Sequence, residues 1–373
     1  MKINKVDAFP LRYPEPNDND NIRHICLARI ETDDGIVGWG ECVCIWAEAA
    51  LAVRTIIERG FAAVLIGRDP TDVTGAWDAM KTQSWWYGEG GIASFALSAC
   101  DMAMWDLKGK VHGLPLHQLL GGKLHSKLRA CASTHPKFAS IDDNVNELAA
   151  HIEKGYTAVK VGFGKRGEAR LGVDAQRDID YVKAVCDMKG NADFMVDIGN
   201  GVRWDVPQAI RMTQAFEQFG IRWIEDPLRP WDYEGYTRLQ SAIHTPIAMG
   251  EREWTLQGYR RLLEHNIADI VLVDPGRAEG VSGFLQVMRE LQTRTRFINA
   301  HSWSSAVNTA AAVQLIATAS NYIVMEVQPK PGPMNIDLVH DPIVAENGWI
   351  TVPDEPGLGV DVNMATVAKY SFG

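Results

Sequence analysis

No stretch of this chain is rich in lysine and arginine, none approaches the roughly 18 consecutive apolar residues that cross a bilayer, and none is of low complexity. With 37 lysines and arginines against 47 aspartates and glutamates, the formal net charge is −10, so neither nucleic acid nor an anionic membrane is expected as a partner. The N-terminal MKINKVDAFP lacks the apolar stretch of a secretory signal, and a reducing cytoplasm is the expected location. Cysteine is sparse. Of Cys26, Cys42, Cys44, Cys100, Cys131 and Cys186 only Cys42 and Cys44 are close in sequence, and a C-x-C pair with no second pair or nearby histidine reads as buried free thiols. There is no repeat beyond the strand–helix period described below.

What remains is an ordinary globular composition, 46% hydrophobic and 23% charged, in 373 residues. That is long for one core, so two domains or a barrel with an appendage are expected. Residues 1–40 read as a strand meander broken at the turn signal Asp33-Asp34-Gly35. From about 45 to 120 the pattern turns helical, with Leu97, Cys100, Met104 and Leu107 at spacings of three to four in ASFALSACDMAMWDLKGK. Gly121-Gly122 closes this α+β appendage. Eight strand-like runs follow, LRACAS, TAVKV, DFMVD, IRWIE, PIAMG, DIVLVD, RFINA and YIVME, separated by amphipathic segments such as NVNELAAHIEKG and GFLQVMRELQ. Eight is the number that closes a (β/α) barrel. The expected fold is α/β, a modified (β/α)8 TIM barrel over 126–334 with a capping domain made from 1–125 and the tail 335–373. In that tail, ENGWITVP signals a hairpin.

Three acids end apolar runs at near-even intervals: Asp197 in FMVDIGNG, Glu225 in IRWIEDP and Glu251 in PIAMGERE, 28 and 26 residues apart. One strand, one helix and two turns take about that length, so repeated βα units place each acid at the same height on neighbouring strands. The interval continues through Asp274, His301 and Glu326 at steps of 23, 27 and 25 residues. A single acid of this kind is more often a helix cap or a solvated loop residue; six polar residues in phase at C-terminal strand ends mark the rim where barrel active sites are built. Three convergent carboxylates make a hard oxygen site of the sort that holds Mg²⁺.

The segments SFALSACDMAMWDLKGKVHGLPLHQLLGG, WIEDP, MGE and PDEPGLGVDVN, spread over nearly the whole chain, resemble the enolase superfamily in its mandelate racemase-like subgroup, which includes many sugar-acid dehydratases. The resemblance implies Asp197, Glu225 and Glu251 as Mg²⁺ ligands, Asp274 and His301 as a proton-handling dyad, and Lys160 in AVKVGFG as the first lysine of a K-x-K motif. The second position of that motif is Gly162, and DIGNG with Asn200 stands where the family usually has D-A-N-G. It also implies a homo-oligomer.

The shared reaction is removal of a proton α to a carboxylate. Lys160 would offset the charge of the carboxylates and orient the substrate, Asp274 would fix the tautomer of His301, and Glu326 would donate a hydrogen bond if burial raised its pKa. Gly162 bears on the reaction type. Racemisation needs a proton group on each face of the α-carbon, whereas dehydration of a 2,3-dihydroxy acid needs one base and an acid for the leaving hydroxide, which a single histidine can supply. The expected activity is therefore Mg²⁺-dependent dehydration of an aldonic or aldaric acid to a 2-keto-3-deoxy acid. A racemase, epimerase or cycloisomerase is the alternative enzyme, and an inactive sugar-acid binding protein the alternative of another class. His135, Lys137 and Lys165 are the candidates to replace the missing lysine as base. Substrate contacts are expected from Arg23, His24, Trp46 and Trp86 of the cap, and from His135, Asn200 and Arg277 of the barrel.

Overall fold

The computed structural model describes residues 1–165, 167–199 and 201–373. Three antiparallel strands open the chain, β1 (Ile3–Glu15), β2 (Asn21–Thr32) and β3 (Val37–Val43), in spatial order β1-β2-β3. Gly35, at φ +85°, supplies the left-handed residue that the β2–β3 turn requires. The helix Gly91–His112 then lies against β3, and two glycines permit the approach. A Cβ on Gly38 would stand 2.2 Å from the Ala103 carbonyl oxygen, and one on Gly40 would stand 2.0 Å from that of Ala99. Leu97, Cys100, Met104 and Leu107 are buried, as their spacing predicts, in a core shared with helices Ala47–Thr55 and Val73–Ser84. All six cysteines are free thiols, and only Cys186 is not fully buried.

Eight parallel strands follow: β4 (Lys127–Thr134), β5 (Ala158–Gly162), β6 (Asp193–Asp197), β7 (Trp223–Glu225), β8 (Ile247–Met249), β9 (Ile270–Val273), β10 (Phe297–Ala300) and β11 (Met325–Val327). Each pairs with the next from β4 to β10. Closure comes from β11, which pairs with β4 at Met325 opposite Ala130, and from a bridge between Ile298 and Tyr322. A helix follows each of the first seven barrel strands, from Ile141–Glu153 to Ala306–Ile316, while β11 is followed directly by one wide helical turn, Pro333–Asp337. Ser140, Asp174, Asp205, Asp232, Thr255 and Ser305 cap six of these helices with their side chains. The acids at the strand ends are thus not the helix caps.

The tail divides between the two parts. Its hairpin, β12 (Ala345–Glu346) and β13 (Trp349–Thr351), turns through Asn347 and Gly348, both at positive φ, and β13 runs antiparallel to the first residues of β4. The last helix, Met364–Tyr370, leads to Ser371, which bridges to Leu11 of β1. No described helix is long and apolar enough to cross a membrane.

Candidate active site

Alternation along the strands decides which residues enter the barrel. Cys131, Ala158, Met195, Trp223, Leu272 and Val324 pack an interior layer, and two residues further on each strand lie Ser133, Lys160, Asp197, Glu225, Asp274 and Glu326. Glu251 stands three residues after the interior Ala248, and Gly250 at φ +127° supplies the break in alternation. All of these polar side chains are buried at the C-terminal end of the barrel, under the cap.

Lys160 Nζ lies 2.6 Å from Glu225 Oε1 and 2.7 Å from Glu326 Oε1. His301 Nδ1 is 2.6 Å from Asp274 Oδ2, and its Nε2 is 3.1 Å from Glu251 Oε2. Asp274 is held in turn, its Oδ1 accepting from the Gly276 N–H at 2.8 Å and from Asn308 Nδ2 at 3.1 Å. Arg277 donates to the Glu251 carbonyl at 2.9 Å. With Asp274 fixed on Nδ1, the imidazole presents Nε2 to the cavity, the arrangement of an oriented acid/base.

Carboxylates crowd this floor and shift one another. Burial opposes the imidazolium, but Glu251 and Asp274 outweigh it and raise the His301 pKa. Burial, with repulsion from Asp197, Glu326 and Glu251, pushes Glu225 well up against the pull of Lys160, and burial likewise raises Asp197. Asp197, Glu225, Glu251, Asp274 and Glu326 gather around Lys160, Arg277 and His301, with Lys165 and Arg252 lining the same cavity. The all-oxygen donors of Asp197, Glu225 and Glu251 on adjacent strands β6 to β8 fit a hard divalent cation. Among the described residues these side chains do not converge as a ready-made cluster, because Glu225 is turned to Lys160 and Glu251 to His301.

Glu326 differs from the sequence expectation. Burial would raise its pKa, but the Lys160 ammonium outweighs burial and holds it near 2, so Glu326 is an ionised acceptor and not a proton donor. Its other oxygen accepts from the Ser302 N–H at 3.2 Å. Glu326 therefore anchors Lys160.

A cavity of about 590 Å³ opens above this floor. Arg23, Trp46, His135, Lys160, Arg277 and His301 line it, together with Asp197, Glu251 and Glu326. Glu225 lies beneath, fully buried. Two of the expected substrate contacts do not reach the cavity. His24 turns Nδ1 to the Ile45 carbonyl at 3.0 Å and its ring edge to Phe372, while Trp86 is 80% exposed beside Trp85. Asn200 lies outside the described residues. Lys137 sits over the Phe138 ring, away from the cavity, whereas Lys165 lines it. Sequence reasoning missed Asn308, which orients Asp274, as well as Asp18 and Trp303. Of these only Trp303, two residues after His301, carried a signal, since the strand period gives it the same facing.

A barrel whose rim unites a carboxylate set, a buried lysine and a His–Asp pair beneath a cavity has the parts of an enzyme active site. Comparison with known proteins identifies the family: residues 144–366 match the "Enolase C-terminal domain-like" family and residues 21–121 the "Mandelate racemase / muconate lactonizing enzyme, N-terminal domain" family. The chain belongs to the enolase superfamily, in its mandelate racemase-like subgroup. It is 30% identical to a D-galactarolactone cycloisomerase of Agrobacterium fabrum, over 99% of both chains. It is 29% identical to a D-gluconate dehydratase of Thermoproteus tenax, over 99% of this chain and 74% of that one. The crystal structure of the 3,6-anhydro-D-galactonate cycloisomerase from Zobellia galactanivorans superposes with a TM-score of 0.90 at 29% identity, over 100% of both chains.

Proposed function

We propose that the protein is a Mg²⁺-dependent lyase that dehydrates a sugar acid, an aldonate or aldarate, to a 2-keto-3-deoxy acid. The observation that carries this reading is the His301–Asp274 pair facing the cavity, with a glycine at position 162. Asp197, Glu225 and Glu251 would hold the cation, which when bound supplies Lewis-acid stabilisation of the charge that develops on the substrate carboxylate. Lys160, fixed between Glu225 and Glu326, offers its ammonium to the same carboxylate. His301 Nε2 takes the α-proton, Asp274 stabilises the imidazolium, and the same Nε2–H protonates the departing β-oxygen when proton and leaving group depart from one side. Arg23, Trp46, His135 and Arg277 line the space for the rest of the substrate.

The relatives favour a second reading by the same chemistry. Where the β-oxygen belongs to a ring, as in a lactone or an anhydro sugar, the elimination opens the ring and no water leaves. This is cycloisomerisation, and product mass separates the two readings.

The test is incubation with a panel of aldonic, aldaric and lactone acids in D₂O, following 2-keto product, product mass and α-proton exchange. Turnover by the wild type and its loss in Glu225→Gln, with the fold retained, are expected. An unchanged rate in that variant, or full activity after exhaustive EDTA treatment, would sink the metal assignment. Neither turnover nor exchange with any acid would sink the function.

A further inference from the structure

The cavity holds a second histidine paired with a carboxylate, and its partner comes from the cap. His135 follows β4 with the same facing as Cys131 and Ser133, and is only 7% exposed. Its Cδ2–Nε2 edge shares the space left by the glycine with Lys165: a Cβ on Gly162 would stand 2.8 Å from His135 Cδ2, 3.1 Å from Lys165 Cε and 3.2 Å from His135 Nε2. Gly162 pairs in register with Asp197, so this edge lies at the level of the floor. The opposite edge faces the cap, with Nδ1 3.4 Å from Asp18 Oδ1. Arg23 fixes Asp18 through Nε and Nη2, at 3.2 and 2.9 Å from Oδ2. Trp303 completes the clamp, with the His135 ring tilted by 32° against it at 4.4 Å and the Arg23 guanidinium over it at 4.2 Å.

This setting selects one protonation form. Burial, reinforced by the Lys165 ammonium, lowers the His135 pKa to about 3 and keeps the ring neutral. Burial works against the Asp18 carboxylate, but His135 and Arg23 outweigh it and hold Asp18 ionised. Nδ1 has no closer partner among the described residues and faces the Asp18 carboxylate 3.4 Å away, so the neutral ring satisfies this buried nitrogen best with its single proton on Nδ1, which leaves a lone pair on Nε2.

We propose that His135 is a specificity-determining residue whose Nε2 accepts a hydrogen bond from a substrate hydroxyl where a side chain at position 162 would otherwise stand, with Asp18 of the cap as its positioning residue. The inference rests on the reading of a polyhydroxy acid as substrate. It gives Gly162 a role beyond the absence of a base, since any larger residue there would displace the acceptor. It also makes recognition depend on cap and barrel together.

Two experiments test it. The ¹⁵N imidazole shifts of the metal-free full-length enzyme, with His135 assigned by difference from His135→Phe, are expected to show a protonated Nδ1 and a bare Nε2. The isosteric Asp18→Asn should shift that balance towards Nε2–H. In turnover, the wild type should prefer the accepted acid over its monodeoxy analogue at one carbon position by at least about 100-fold, because a site built for a hydroxyl rejects the analogue lacking it. His135→Phe, which keeps a ring against Trp303, should reduce that preference at least tenfold, chiefly through KM. A protonated Nε2 in the wild type, or shifts unchanged in Asp18→Asn, would overturn the positioning role. A preference unchanged in His135→Phe would overturn the recognition role. A wild type inert towards every sugar acid would instead defeat the proposed function and with it the hydroxyl, while the ¹⁵N result would still decide the Asp18–His135 pair.

Discussion

His301 and Asp274 owe their pairing to chemistry that a single residue cannot express. Imidazole titrates near neutrality, but which nitrogen faces the substrate depends on the carboxylate at Nδ1, and that carboxylate depends on Asn308 and the Gly276 N–H. If Nε2 of His301 is the base, His301→Asn should lose elimination and α-proton exchange together, by at least about 100-fold, as measured by product formation and by NMR in D₂O. Exchange that survives in this variant with the metal bound would assign abstraction to another group. Lys165 is the nearest alternative: it lines the cavity, and burial lowers its amine to about 8. Racemisation or epimerisation would then return to the front. The strand-end acids and His301 were legible because each closes an apolar run at the βα interval. Asp18 was not, because NDNDN in a loop has no period to place it.

At the level of elements, the cap strand β3 reaches into the barrel to hold a helix. Glu41 is fully buried and accepts from the Ser305 N–H at 3.2 Å, the Asn308 N–H at 3.1 Å and the Ser305 hydroxyl, all at the N-terminus of Ala306–Ile316. These are donors that a helix start leaves without intrahelical partners, and a carboxylate there also meets the positive end of the helix dipole. Asn308 lies in that first turn and bonds Asp274, so Glu41 supports the dyad from a distance. Glu41→Ala should cost about 2 kcal/mol in urea denaturation and lower kcat, while Glu41→Gln should cost about half as much. Unchanged stability in the alanine variant would remove Glu41 from this role. Helix and strand positions were readable from hydrophobic period. The link from Glu41 to Ser305 was not, because it spans 264 residues and leaves only a glutamate in an apolar strand.

Across the whole molecule, cap and barrel are joined by buried carboxylates as well as apolar contact. Asp101 in the long cap helix accepts from the Ser282 N–H at 2.8 Å and its hydroxyl at 2.7 Å, beside an ion pair between Lys81 and Glu279 at 3.0 Å. Burial, helped by Glu279, raises the Asp101 pKa to about 7 from an ordinary value of 3.8. Because this acid's folded pKa lies above its unfolded one, the folded state binds the extra proton between those values, and stability falls as pH rises from about 4 to 7. Asp101→Asn cannot titrate. The unfolding midpoint of the wild type relative to this variant should therefore decline between pH 5 and pH 7, as read by thermal denaturation, and a constant difference would show that Asp101 is already ionised in the folded protein at pH 5.

The order of strands and helices, the barrel and the residue types at its strand ends were determined by the sequence alone. Period-two and period-three-to-four patterns report burial directly, and the βα interval converts position along the chain into height on the barrel. Closure by β11 on β4, the ionised state of Glu326, the exclusion of His24 and Trp86 from the cavity and the pairing of Asp18 with His135 were decided by the tertiary structure. Each depends on which distant groups share a low-dielectric space. The sign of a buried charge and the facing of a loop side chain are set by those neighbours, and no local pattern encodes them.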